Sequence, residues 1–295
     1  MKFPTILGLT SIVLAGTMMN AEAITIAHGG DSVDIDFVDI GNTDVTTGDT
    51  TASGTYGVVN YEYSIGKFEV TADQWAAVSG FDALVETNAN EAWSGSQPTA
   101  NTSWYEAAKF ANWLTSGDAL QGAYGFSNSN TFTGVDRAAA IATYGTIYVL
   151  PSEDEWYKAA YLKSDGSGYT LYATGDSVPT AGTDANYDGV NSDPWNVGSG
   201  TAENNGTYDM GGNVLEWNES AFDGTLDELD ESRVLRGGDW GGDPFGLQSS
   251  DRYDGSPAFE FDFIGFRVAS LSAAVAAVPE PSSVGLLVIG AMGLM

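Results

Sequence analysis

Residues 32–40, SVDIDFVDI, alternate apolar and polar positions, the period of a strand that buries one face. The stretch YGVVNYEYSIGKFEV, 56–70, supplies further β-rich sequence. Three later segments switch to helical spacing: TADQWAAVSG from Thr71, SWYEAAKFANWLTSG from Ser103, and SEDEWYKAAYL from Ser152. Each opens with a hydroxyl residue followed three positions later by Gln74, Glu106 or Glu155. That is a capping box: the hydroxyl takes the N3 amide hydrogen and the longer side chain reaches back to the cap amide. In the second helix Trp104, Ala107, Ala108, Ala111 and Leu114 form one buried face, its alanines permitting close approach. Trp156, Ala159 and Ala160 do the same in the third.

Between these elements run stretches rich in Ser, Gly, Thr and Asn, at 41–57, 167–189 and 191–207. They carry turn chemistry and little periodicity, and no fixed repeat is visible, so the pattern predicts one loop-rich domain over residues 24–272. The ends read differently. Residues 1–23 have a lysine, an apolar run from Ile6 to Ala15 and the small-residue pattern Ala21-Glu22-Ala23, the parts of a secretory signal peptide cleaved after Ala23. Residues 273–295 place VPEPSS before a charge-free run, Val284 to Met295. This tail resembles the PEP-CTERM sorting signal of exported bacterial proteins, which implies an exosortase-type protease as partner. As a helix the run spans about 18 Å, against roughly 30 Å of hydrocarbon core. The expectation is a tail cut short, with a native continuation past Met295.

Composition narrows the chemistry. The chain has 295 residues, 43% apolar and 12% aromatic, enough for a sizeable core. Its 40 acidic and 10 basic residues give a formal charge of −30, which repels phosphate backbones, so nucleic acid is excluded as a partner. There is no cysteine and one histidine, His28. Disulfides, thiolate nucleophiles, thiolate metal sites and multi-histidine metal sites are thereby excluded.

Taken in order, IGKFEVTADQW (65–75), QPTANTSWYEAAKFANWL (97–114), LPSEDEWYKAA (150–160), NNGTYDMGGNVLEW (204–217), RVLRGGDW (233–240) and IGFRVA (264–269) resemble the successive motifs of the formylglycine-generating, sulfatase-modifying domain family. The resemblance implies an α+β fold with much irregular structure, related in its core to C-type lectin domains and commonly carrying calcium. In the family one calcium site uses a side-chain oxygen, two alternate carbonyls and a Glu, which fall here on Asp209, Gly212, Val214 and Glu216. Positions 212, 214 and 216 share a parity, and calcium takes carbonyl as well as carboxylate oxygens. A second site uses an Asn side chain and the next carbonyl, matching Asn186 and Tyr187, with Asp188 or Asp193 as a further donor. The same segments have a purely structural reading as Asx or glycine turns before a strand.

The resemblance breaks at the chemistry. The family's enzymes oxidise a substrate cysteine through two copper-binding cysteines of their own, which would fall near Gly242 and Leu247. Neither supplies a thiolate, so no copper is expected. Nor can His28 alone build the iron site of the related sulfoxide synthases. Carboxylate pairs among Asp239, Asp243, Asp251, Asp254, Glu260 and Asp262 are weak evidence for glycosidase-like chemistry in so acidic a chain. Arg236, Arg252 and Arg267 read as loop-tying ion-pair residues, or else as grips for an anionic ligand, with Arg236, Trp240 and Arg252 as the candidate groove. The expectation is an exported, non-catalytic binding or structural protein of the cell surface or matrix, engaging a surface polysaccharide or protein. Trp and Tyr in the loops NYDG and DPWN are its candidate contacts. The alternative is an enzyme of this family whose chemistry does not use cysteine.

Overall fold

The computed structural model describes residues 22–41, 45, 47–86, 93–127, 131–226 and 228–272. The expected signal peptide, apart from Glu22 and Ala23, and the expected sorting tail lie outside them. A hairpin of β1 (Glu22–His28) and β2 (Asp31–Ile40) leads into the ribbon β3 (Asp49–Thr51) and β4 (Gly54–Tyr56), then β5 (Tyr63–Gly66). Next come α1 (Ala72–Phe81), a 3-10 turn at Ala83–Val85, and α2 (Trp104–Ser116). They are followed by the ribbon β6 (Tyr124–Ser127) and β7 (Thr131–Val135), α3 (Arg137–Tyr144), β8 (Thr146–Val149) and α4 (Glu153–Tyr161). The chain ends in β9 (Leu215–Ala221), β10 (Arg233–Arg236), β11 (Tyr253–Gly255), β12 (Ile264–Gly265) and β13 (Ala269–Ser272).

The alternating segment forms β2, in which Val33, Ile35 and Phe37 are buried on one face and Val38 and Ile40 on the other. It lies in a five-stranded sheet of order β1-β2-β5-β13-β8, so the first and last described strands sit in one sheet. A second sheet has the order β11-β10-β9-β12, with β12 parallel to β9 and the other pairs antiparallel. No described strand or helix lies between Tyr161 and Leu215, as the turn-rich composition predicts.

All three expected helices form with both halves of their capping boxes in place, at Thr71 with Gln74, Ser103 with Glu106, and Ser152 with Glu155. Each such cap contributes about 1 kcal/mol. Helix α3 is an addition: Asp136 caps it by accepting from the Ala139 amide, and Gly145 ends it at positive φ. The alanine run at 138–140 favours the helix without announcing a face.

Aromatics tie the layers. Trp75 stacks on Phe110 at 5.5 Å between ring centres. The indoles of Trp104 and Trp217, both fully buried, donate to the carbonyls of Asn218 and Thr102, so each fills core volume without losing its polar contact. Helix α4 packs beside β9, which brings Trp156 over Glu216 and sets up the site. Among the described residues no helix is long and apolar enough to cross a membrane.

Candidate functional site

The stretch around residues 207–220 converges with the ends of β5, β12 and β13. Asp209 and Asn213 both hold positive φ, 60° and 63°, an uncommon state for residues with a Cβ. Gly212 also sits at positive φ, 89°, and a Cβ there would run into the Asn186 carbonyl. These bends seat four buried acids, Glu69, Glu203, Asp209 and Glu216, around Arg267.

Arg267 grips Glu216 along one edge, Nη2 to Oε1 at 2.6 Å and Nε to Oε2 at 2.8 Å, and also donates to the carbonyls of Gly66 and Tyr208. Trp156 Nε1 donates to Glu216 Oε2 at 2.8 Å. Burial works against the Arg267 charge, but Glu216 outweighs it and holds the guanidinium above its usual range. Glu69, held by the Asn213 amide, is pushed well up by burial and then by the charges of Asp209 and Glu216. Glu203 accepts from Thr207 and from the Met210 amide, and burial raises it to about 8. Asp209 is raised by burial, against two donors, Trp195 Nε1 at 2.8 Å and the Gly198 amide at 2.6 Å. One internal cation thus faces four acids, and burial and mutual repulsion favour the protonated form at Glu69 and Glu203.

At the expected four-ligand calcium site the two carboxylates already serve protein donors. Glu216 accepts three N–H groups, from Arg267 Nε and Nη2 and from Trp156 Nε1, which take up most of its acceptor positions. Asp209 is committed to the 195–198 turn. The carbonyls of Gly212 and Val214 accept no hydrogen bond among the described residues, but by themselves they make half a site. Nor does any group of three or more His, Asp or Glu residues there have metal-holding spacing. Around the second candidate, Asn186 donates to Asp193 O and to Asn213 Oδ1 and accepts from Asn191. The Tyr187 carbonyl takes one long contact, 3.5 Å, from the Val190 amide.

The groove triad separates. Arg236 is fully buried and shares Glu153 with Arg252, through contacts of 2.5–2.9 Å, while donating to the carbonyls of Ser249 and Asp251. Arg236 stacks over Tyr56 and Arg252 over Phe222. Both arginines are loop ties, and neither is presented to a ligand. Of the candidate contact aromatics Tyr187 is buried with its hydroxyl on Pro179 O, while half-buried Trp195 donates its indole nitrogen to Asp209. Trp240 remains at a surface, half-buried, its indole nitrogen without a partner among the described residues.

Near Asp239, the chain neighbour of Trp240, lies a face the sequence reading missed. Phe259, Phe261 and Phe263 form a chain of rings 5.5 and 5.2 Å apart, the first two well exposed. Asp239 lies within electrostatic reach of Asp262 and of Tyr253, and burial followed by its neighbours raises Tyr253. Phe245 is 69% exposed. The signal was present as Phe259-Glu260-Phe261-Asp262-Phe263, an alternation that puts the three rings on one side.

The two positions that the resemblance assigns to the family's cysteines are occupied differently. Leu247 is buried in a small cluster with Tyr172, Ala185 and Tyr187, and the Gly242 carbonyl accepts from the Asp188 amide.

The solved structures it resembles share this architecture, a C-type-lectin-like core. Treponema denticola variable protein 1 covers 83% of this chain and 98% of its own at 24% identity, with a TM-score of 0.63. CarF covers 80% and 97% at 22% identity and 0.60, and PvdO from Pseudomonas aeruginosa 80% and 94% at 20% and 0.55. A protein described as chaperone protein LppX, from Paenibacillus barcinonensis, is 26% identical over 201 residues, 61% of this chain and 69% of that one. The sulfatase-modifying factor enzyme 1-like domain model matches residues 15–271, and the chain belongs to that family.

Proposed function

We propose that this member of the family is an exported, non-catalytic binding protein of the bacterial cell surface or matrix. The observation that carries the reading is Leu247: where the family's chemistry calls for a thiolate, an apolar side chain is locked into a buried cluster. Binding is assigned to the face around Trp240, with Phe259, Phe261 and Tyr253 as stacking surfaces and Asp239 and Asp262 as acceptors. Aromatic rings beside carboxylates suit sugar rings with hydroxyl edges, hence a surface polysaccharide. A protein ligand is the second reading, favoured by the likeness to a relative described as a chaperone. Calcium enters the proposal only at the turn of Asn186 and Tyr187, where Asn186 Oδ1 keeps a lone pair.

The test is retention of the domain on immobilised cell-surface polysaccharide, with Phe261→Ala and Asp239→Asn as variants. The proposal expects retention that both variants weaken. Retention by a cell-surface protein preparation alone would favour the second reading, and equal retention of both variants would remove the assigned face.

A further inference from the structure

Helix α3, which the sequence reading did not anticipate, forms one wall of an open cleft of about 460 Å³. The β6–β7 ribbon and the loop before it form the others. The volume falls in the range of small-molecule sites, about 300–1,000 Å³. Its walls are held from behind. Asn112, fully buried on α2, donates to the carbonyls of Ala119 and Tyr124 and accepts from the Tyr124 amide. The Asp136 amide donates to the Ala123 carbonyl at 2.8 Å, which ties the start of α3 to the loop. A Cβ at Gly122 would collide with the Asn112 side chain, and one at Gly125 with the Thr133 hydroxyl. Gly125 and Gly134 face each other across the ribbon, so this part of the cleft is bare backbone. A cleft already shaped in this way costs little ordering when a ligand enters.

The lining sets the ligand's chemistry. Asp136 is its single charged residue, and that carboxylate is spent on the Ala139 amide as the cap of α3. No cation is present to hold an anion. The Gln121 amide and the Thr133 hydroxyl are exposed and make no hydrogen bond among the described residues. Thr143 donates to the Ala139 carbonyl at 2.8 Å and keeps its acceptor side. Tyr144, 37% exposed, adds an aromatic ring. Uncharged donors and acceptors beside an aromatic face match a ring that carries hydroxyls on its edge and C–H groups on its face.

We propose that this cleft binds a neutral sugar ring, with Tyr144 as the stacking surface and Gln121, Thr133 and Thr143 as hydrogen-bond partners. The cleft shares no residue with the face assigned to polysaccharide above, so either can fail while the other stands.

The experiment follows the amide resonances of Gly122, Gly125 and Gly134 in the folded domain during titration with glucose, galactose, mannose and N-acetylglucosamine. N-acetylalanine methylamide serves as the peptide probe. Saturable shifts with at least one sugar and none with the peptide probe are expected. Tyr144→Ala should weaken the response severalfold, Ala139→Phe, which fills the cleft from an exposed helical position, should abolish it, and Phe261→Ala should leave it intact. If Ala139→Phe does not fold, Thr133→Val at an exposed position of β7 takes its place and should weaken binding. No shift with any of the four sugars, a response to the peptide probe in their stead, or an undiminished response in the folded cleft variants overturns the proposal.

Discussion

Arg267 closes on Glu216 with its Nη2 2.6 Å from Oε1, joining β9 to the strand ends of the other sheet. The pair is fully buried, and its remaining donors reach the carbonyls of Gly66 and Tyr208, so the guanidinium ties three segments at once. Breaking such a pair from one side leaves an uncompensated buried charge and costs about 3–5 kcal/mol.

The first prediction follows from that geometry. Glu216→Gln should lower the melting temperature by on the order of 10 °C. The drop should be equal in chelator and in millimolar calcium, because the lost partner is Arg267. Calorimetry of the variant in both buffers checks this. A deficit that appears in calcium and disappears in chelator would restore Glu216 as a metal ligand.

The second concerns Glu153, which serves Arg236 and Arg252 together. Glu153→Gln should destabilise more than Arg252→Met, since the first strands two guanidiniums and the second removes one that is partly accessible. Urea midpoints of the two variants give the order directly, and the reverse order would mean that the arginines have other acceptors.

A third prediction is pH-dependent. Asp154 accepts from the Gly57 amide at 2.7 Å, yet burial, reinforced by Glu153 and Glu155, raises it to about 6. Its folded value lies above the unfolded one near 3.8, so the folded state binds the extra proton between them. The stability Asp154 contributes is therefore present below about pH 4 and lost as pH rises through 6. Asp154→Asn should flatten that part of the stability curve, measured by denaturant midpoints at closely spaced pH values. An unchanged slope would assign the dependence to other groups.

Much of the scaffold was legible because its signals are local. Three capping boxes, the alternation of β2 and the turn-rich composition of 162–214 each act within a few residues, and the fold reproduces them. The site was less legible because its charges are distant in sequence. Glu69 meets Asn213 across 144 positions, and Arg267 meets Glu216 across 51. The parity of 212, 214 and 216 assumes an extended chain, whereas Gly212 and Asn213 hold positive φ and the strand begins only at Leu215, and Glu216 is met there by an arginine from the last motif. Tyr187 looked exposed because its neighbours are polar, whereas those neighbours form a turn that folds the ring inward; Trp195 keeps part of its surface while its indole nitrogen serves Asp209.

The central claim is that this chain keeps the family scaffold without its thiol chemistry. The most direct measurement is mass spectrometry of a Cys-x-Pro-x-Arg peptide incubated with the folded domain, copper, reductant and oxygen. The packing of Leu247 and the absence of any cysteine predict no conversion of the peptide cysteine to formylglycine above a control without protein. Turnover that scales with the domain's concentration would contradict it.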